Sequence, residues 1–162
     1  GQPARAAAVL QPALARMNDS FPEYLHGGLV GLDGLRMIAM GDTARGVARA
    51  DSGMRIVGGF GNAVFGSSIS LRLAQFLAAS PTTRAAGIER LRYGFQDRFE
   101  FTPIVQYDLG KAYEAAGDEA RAAAAYGQFL RLWDHADSNF QPRVRDAKAA
   151  LQRVTGEGSR TQ

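Results

Sequence analysis

The chain carries two histidines, His26 and His135, and each has carboxylates close by in sequence. Glu23 and His26 stand three residues apart, the spacing at which helical side chains share a face and can hold a metal together. A di-metal bundle needs a second such pair, and none follows. Asp134-His135-Ala136-Asp137 has the donors to chelate a cation weakly at a loop, or to form a polar interhelix turn. Gly61-Asn62-Ala63-Val64-Phe65-Gly66-Ser67-Ser68 has the glycine spacing of a phosphate-binding loop, but Ser67 occupies the lysine position and no strand precedes it, so the stretch reads as a flexible loop. There is no cysteine, which excludes disulfides, thiolate metal sites and cysteine nucleophiles. No serine lies in a nucleophile elbow. Arg90, Arg92, Tyr93, Phe95, Arg98 and Phe99 alternate cations with aromatics as a nucleic-acid surface would, yet on a helix end and connector they are expected to pack their rings and solvate their guanidinium groups. No catalytic residue, metal or cofactor is assigned, and nucleic acid is not an expected partner.

The elements that must carry any site are helical. Alanine fills 28 of 162 positions, 17 of the 19 bases are arginine, and the net charge is only +3. Scattered arginines among alanines are the composition of an all-α protein with solvated helix faces. The longest uncharged stretch, Ile56 to Leu71, is too short and too polar to span a bilayer, and no signal peptide opens the chain. Gly1 in place of methionine reads as a processed or trimmed protein, or as part of a longer one.

The spacing predicts an N-terminal helix within 3–20 and a second from Glu23 to Met40. Gly27, Gly28, Gly31 and Gly34 weaken that second helix unless they serve close packing. A third is expected to run to about Ser52, followed by a glycine-rich apolar connection over Gly53 to Ser68 that can enter a helix near Asn62, with a helix through Leu71 to Leu77 that stops at Ser80 and another from Thr82 to Tyr93. Gly94 to Thr102 reads as an aromatic connector. Thr102 is a suitable N-cap before Pro103, and a helix to Ala116 is followed by one bearing the stripe Ala122, Tyr126, Phe129, Leu130 and Trp133. A capping helix over 141–154 and a tail over 155–162 end the chain.

The turn Gly41-Asp42-Thr43-Ala44-Arg45 recurs 76 residues later as Gly117-Asp118-Glu119-Ala120-Arg121, and Ala79-Ser80-Pro81 marks a turn halfway between. Three helical hairpins at a spacing of about 38 residues are implied. Residues 103–136 resemble a tetratricopeptide repeat: Leu109 and Gly110, then Tyr113, the Gly117-Asp118 turn, and Ala122, Tyr126 and Phe129 match the family pattern in order. Gln106 replaces its usual large aromatic and Asp134 its usual proline. Residues 24–57 and 67–97 resemble degenerate units, the first with Met37 for the aromatic and Gly46 for the small residue, the second keeping Leu73-Ala74, Leu77 and Ala86. Gly110 with Ala122, and Ala86 in its unit, are expected at helix crossings.

The resemblance implies a right-handed α-solenoid of about three hairpins with N- and C-terminal flanking helices, in one domain over 1–162. It also implies a partner-binding face on the first helix of the best unit, presenting Ile104, Tyr107, Asp108, Lys111 and Glu114. Tyr107 and Asp108 spoil the set that grips a peptide's terminal carboxylate. Phe60 and Phe65, on the apolar loop over 58–66, are further docking candidates, and Phe95, Phe99 and Phe101 read as exposed aromatics in a connector. The expectation is a non-catalytic interaction module, an accessory subunit on a larger bacterial complex, soluble in periplasm or cytoplasm or peripheral to a membrane assembly, and able to self-associate. Two alternatives stand beside it: the C-terminal regulatory region of a longer bacterial signalling protein, and a small helical enzyme or ligand-binding protein with a pocket near His26 or His135.

Overall fold

A computed structural model describes residues 2–16, 22–58, 63–96, 99–133 and 135–156, and every regular element among them is helical. The helices are α1 (Gln2–Ala15), α2 (Glu23–Ala39), α3 (Thr43–Gly58), α4 (Ala63–Ala79), α5 (Arg84–Tyr93), α6 (Thr102–Ala115), α7 (Glu119–Trp133) and α8 (Gln141–Thr155), with a 3₁₀ turn at Phe99–Phe101 before α6. The all-α class follows directly. None of the described helices is long and apolar enough to cross a membrane. The chain divides into two compact units, Gly1–Phe76 and Leu77–Gln162.

In the first unit α2 and α3 form a hairpin whose backbones nearly touch. A Cβ on Gly34 would lie 2.6 Å from the carbonyl oxygen of Gly46, and one on Gly27 would lie 2.7 Å from that of Gly53. Gly27, Gly31 and Gly34 of α2 therefore serve contact between helices and do not interrupt the helix. The same contact corrects the expected end of α3: Gly53 does not begin a connection, because its missing side chain lets α3 lie against Gly31, and the helix runs on to Gly58. Val30, Leu35, Ala50, Val57, Ile69, Leu71 and Leu73 are buried. The loop candidate Phe60 falls outside the described residues, as does the side chain of Phe65, whose backbone belongs to α4.

The second unit holds the end of α4 and α5 to α8. The small crossing residue of α5 is Gly87, where a Cβ would come 2.6 Å from the Ala78 Cα, while the expected Ala86 is exposed. Adjacent helical positions differ by about 100°, so a reading one residue off moves the crossing from core to solvent. Phe95 is buried against Phe101, with ring centroids 5.7 Å apart, whereas Phe99 is 84% exposed. Thr102 is the first residue of α6, and Phe101, closing the 3₁₀ turn, takes the cap position instead. Gly110 faces the ring of Tyr126, 2.6 Å from where its Cβ would be, and Ala122 is fully buried. Gly110 is thus small to admit an aromatic. Helix α8 rests on α6 and α7 and ends at Gly156 with φ +68°.

The recurring pentapeptide builds the same corner twice. Gly41 has φ +95° and Gly117 φ +75°, the left-handed region that glycine enters without Cβ strain. At the first corner the amides of Gly41 and Asp42 donate to the carbonyls of Ile38 and Met37 at 2.9 and 3.0 Å; at the second, Gly117 and Asp118 donate to Glu114 and Tyr113 at 3.0 and 2.9 Å. The aspartate then caps the next helix and binds the arginine three residues on: Arg45 Nε donates to Asp42 at 2.6 Å and Arg121 Nε to Asp118 at 2.5 Å. Hydrogen bonds from Arg45 and from Arg121 hold the Asp42 and Asp118 carboxyls, respectively, below the usual carboxylate range.

Candidate interaction site

Helix α6 carries the five face residues expected to meet a partner, and the structure separates them. Lys111 is exposed and lies over the Tyr107 ring at 5.5 Å, while Ile104 and Asp108 are half-buried. Tyr107 is buried, and its hydroxyl donates to Asp146 Oδ2 of α8 at 2.6 Å. Glu114 accepts from the Tyr126 hydroxyl at 2.7 Å and from Arg153 of α8 at 2.9 Å. Tyr107 and Glu114 therefore fasten α8 to the hairpin, together with Val144, Ala147 and Ala150, which α8 buries almost completely. Burial, then the Asp146 hydrogen bond, pushes the Tyr107 phenol well above its ordinary range; burial and Glu114 do the same to Tyr126. Both hydroxyls remain protonated donors at any physiological pH.

From this fastened side a run of aromatic rings leads out toward solvent. Tyr107 packs on Phe129 at 5.3 Å, Phe129 on Trp133 at 5.7 Å, and Trp133 on Phe140 at 4.4 Å. The stripe predicted along α7 supplies Phe129 and Trp133, and the turn into α8 supplies Phe140. That turn is braced by the Gln141 side-chain amide, which donates to the Ala136 carbonyl at 2.6 Å.

At the outer end of the run lies an open groove of about 810 Å³, lined among others by Leu130, Leu132, Trp133, His135, Phe140 and Lys148. Its size is that of a ligand or peptide site. Leu132 is 50% exposed, a large apolar side chain left at the rim. Aromatic and aliphatic walls with charged edges of both signs, Arg131 and Lys148 beside Asp137, suit an amphipathic segment: the walls remove apolar surface from water and the edges fix its direction. From sequence, a pocket near His135 belongs only to the ligand-binding alternative, and its aromatic wall is not legible, since Trp133 reads as part of the α7 stripe and Asp134 to Asp137 as a turn or weak cation site.

The remaining sequence candidates do not come together. His26 and His135 are both exposed, and no three His, Asp or Glu side chains converge as a metal site among the described residues. One buried charge had no sequence-level assignment. Asp33 of α2 is 3% exposed and receives Arg36 Nε at 2.9 Å, Arg49 Nε at 2.5 Å and Gln11 Nε2 at 3.2 Å. Burial alone would raise its pKa, but the bonds from Arg36 and Arg49 outweigh it and hold the carboxyl below its usual range. This cluster ties α1, α2 and α3 together through satisfied partners. No known protein family, curated protein or solved structure matches the chain.

Proposed function

We propose that the chain is a non-catalytic protein-interaction module of tetratricopeptide type, with its hairpins stacked as a right-handed solenoid, serving as an accessory subunit on a larger bacterial complex. The observation that carries this reading is the groove beside α7 and α8: a peptide-sized opening with an aromatic and aliphatic wall and Leu132 at its rim, at the end of an aromatic run that is otherwise packed. The twice-built Gly-Asp corner supports the repeat. Because α8 occupies Tyr107 and Glu114, the docking surface moves from the α6 face to the α7 edge.

The test is a photo-crosslinking residue at Leu132 in the native host. The expected result is one discrete adduct, lost when Trp133→Ala removes the groove wall. A folded protein that gives no adduct there, or one indifferent to Trp133, overturns the reading. A ligand-binding role is the second reading, favoured by His135 and Lys148 on the same lining. Unchanged ligand affinity after His26→Ala and His135→Ala together would sink it.

A further inference from the structure

A second, smaller pocket lies within the C-terminal unit, where α5, α6 and α7 meet, and its chemistry differs from that of the groove. Its volume is about 310 Å³, at the lower end of ligand sites. Three side-chain amides line it: Gln96 after α5, Gln106 of α6 and Gln128 of α7. Each carries both donors and an acceptor, so the set can satisfy a peptide backbone, which presents both. The floor is aliphatic and aromatic, with Leu109 and the buried Tyr113.

The charges in the lining are both guanidinium groups. Arg121 is held over the Tyr113 ring at 4.9 Å and is engaged by Asp118, so its charge is largely balanced. Arg92 lies over the exposed ring of Tyr93 at 5.0 Å. No carboxylate belongs to the lining among the described residues. Arg92 thus gives the pocket a net positive edge, and a ring-supported guanidinium is suited to a planar carboxylate. An α-helix bonds its own backbone groups and would leave the three amides unused, whereas an extended segment presents free N–H and C=O groups to them. We propose that this pocket holds a short extended segment of a partner protein, its backbone bonded by the three glutamines and one aspartate or glutamate side chain taken by Arg92.

The probes are labelled hexapeptides with acetylated and amidated ends, in which one glutamate is moved through a neutral sequence, each matched by its glutamine counterpart. Anisotropy titrations are expected to show the glutamate peptide binding about tenfold more tightly than its counterpart. Arg92→Ala, on an exposed side chain, should erase that preference while leaving the urea midpoint unchanged. Gln106→Trp, which fills the pocket, should abolish binding of both peptides. Equal affinities for the two peptides, no binding at millimolar concentration, or a preference that survives Arg92→Ala each overturn the proposal. So does displacement by inorganic phosphate as complete as by unlabelled peptide, which would make the site a general oxyanion pocket. The Leu132 adduct should be indifferent to Arg92→Ala, so this pocket and the groove stand or fall separately.

Discussion

The α2–α3 and α6–α7 hairpins turn the same corner yet fill their interiors in opposite ways. Seventy-six residues separate equivalent positions, and at that offset the contacts correspond pair by pair. Gly34 meets Ala50 where Gly110 meets Tyr126, and Gly31 meets Gly53 where Tyr107 meets Phe129. One hairpin puts backbone against backbone; the other puts rings between its helices. The corner fixes chain reversal and register, while the side chains at two pairs of positions decide what the interior is made of. The aromatic version leads to the groove, because its ring run continues past the hairpin to Trp133 and Phe140.

The largest way to break the comparison is to empty the aromatic interior. Phe129→Ala should cost about 4 kcal/mol, since the ring is fully buried and touches Tyr107 and Trp133. Urea unfolding measures it, and hydrogen exchange should show α8 losing protection. The counterpart in the first hairpin is addition, not removal. Gly53→Ala gains about 1 kcal/mol of helix propensity but drives a Cβ into the backbone of Gly31, whose Cα would be 2.8 Å away. We expect a net loss of about 3 kcal/mol. A stabilised Gly53→Ala would show that the two helices can separate freely and that the glycines are not packing residues.

How much of this was legible follows from what each residue type can signal. The Gly-Asp corners were readable because a left-handed glycine followed by a capping aspartate and an arginine is a local device, complete within five residues. The α7 stripe was readable for the same reason, through its helical period. Glycine elsewhere is ambiguous, since it marks both chain breaks and close helix contacts. In α2 the sequence leaves both readings open, and Gly53, which reads as a chain break, is a helix contact inside α3. Tyr107 read as a surface residue because its partner, Asp146, is 39 residues away and nothing nearby announces it. Asp33 left a faint signal, an acid among glycines with Arg36 three residues on, but Arg49 and Gln11 come from other helices.

Asp33 sharpens the comparison through pH, because its equivalent in the second hairpin is the buried Leu109. A carboxyl whose folded pKa is depressed contributes stability above its unfolded value, about 3.9, and loses that contribution as pH falls through the folded value. At pH 7, Asp33→Asn should therefore cost about 2 kcal/mol by weakening both arginine contacts. Below about pH 4 the difference from the parent protein should shrink. A gap that stays constant down to pH 2 would mean that shape and hydrogen bonding at Asp33, without its charge, hold the three helices.

The smallest effect tests what the hairpins share. Neither Gly41 nor Gly117 has any atom near the place a Cβ would take, so alanine there meets no clash, and its cost is that of a left-handed backbone alone. That cost is about 1 kcal/mol. It should be the same at both corners, even though the interiors beneath them differ in every large side chain. Parallel urea titrations of Gly41→Ala and Gly117→Ala measure the two values, and each unit's own transition can be followed by hydrogen exchange. Equal losses mean that the corner is an autonomous device set by five residues. A clearly greater loss at Gly117 would mean that the aromatic interior presses on its turn, and the two hairpins would then share a sequence pattern without sharing its energetics.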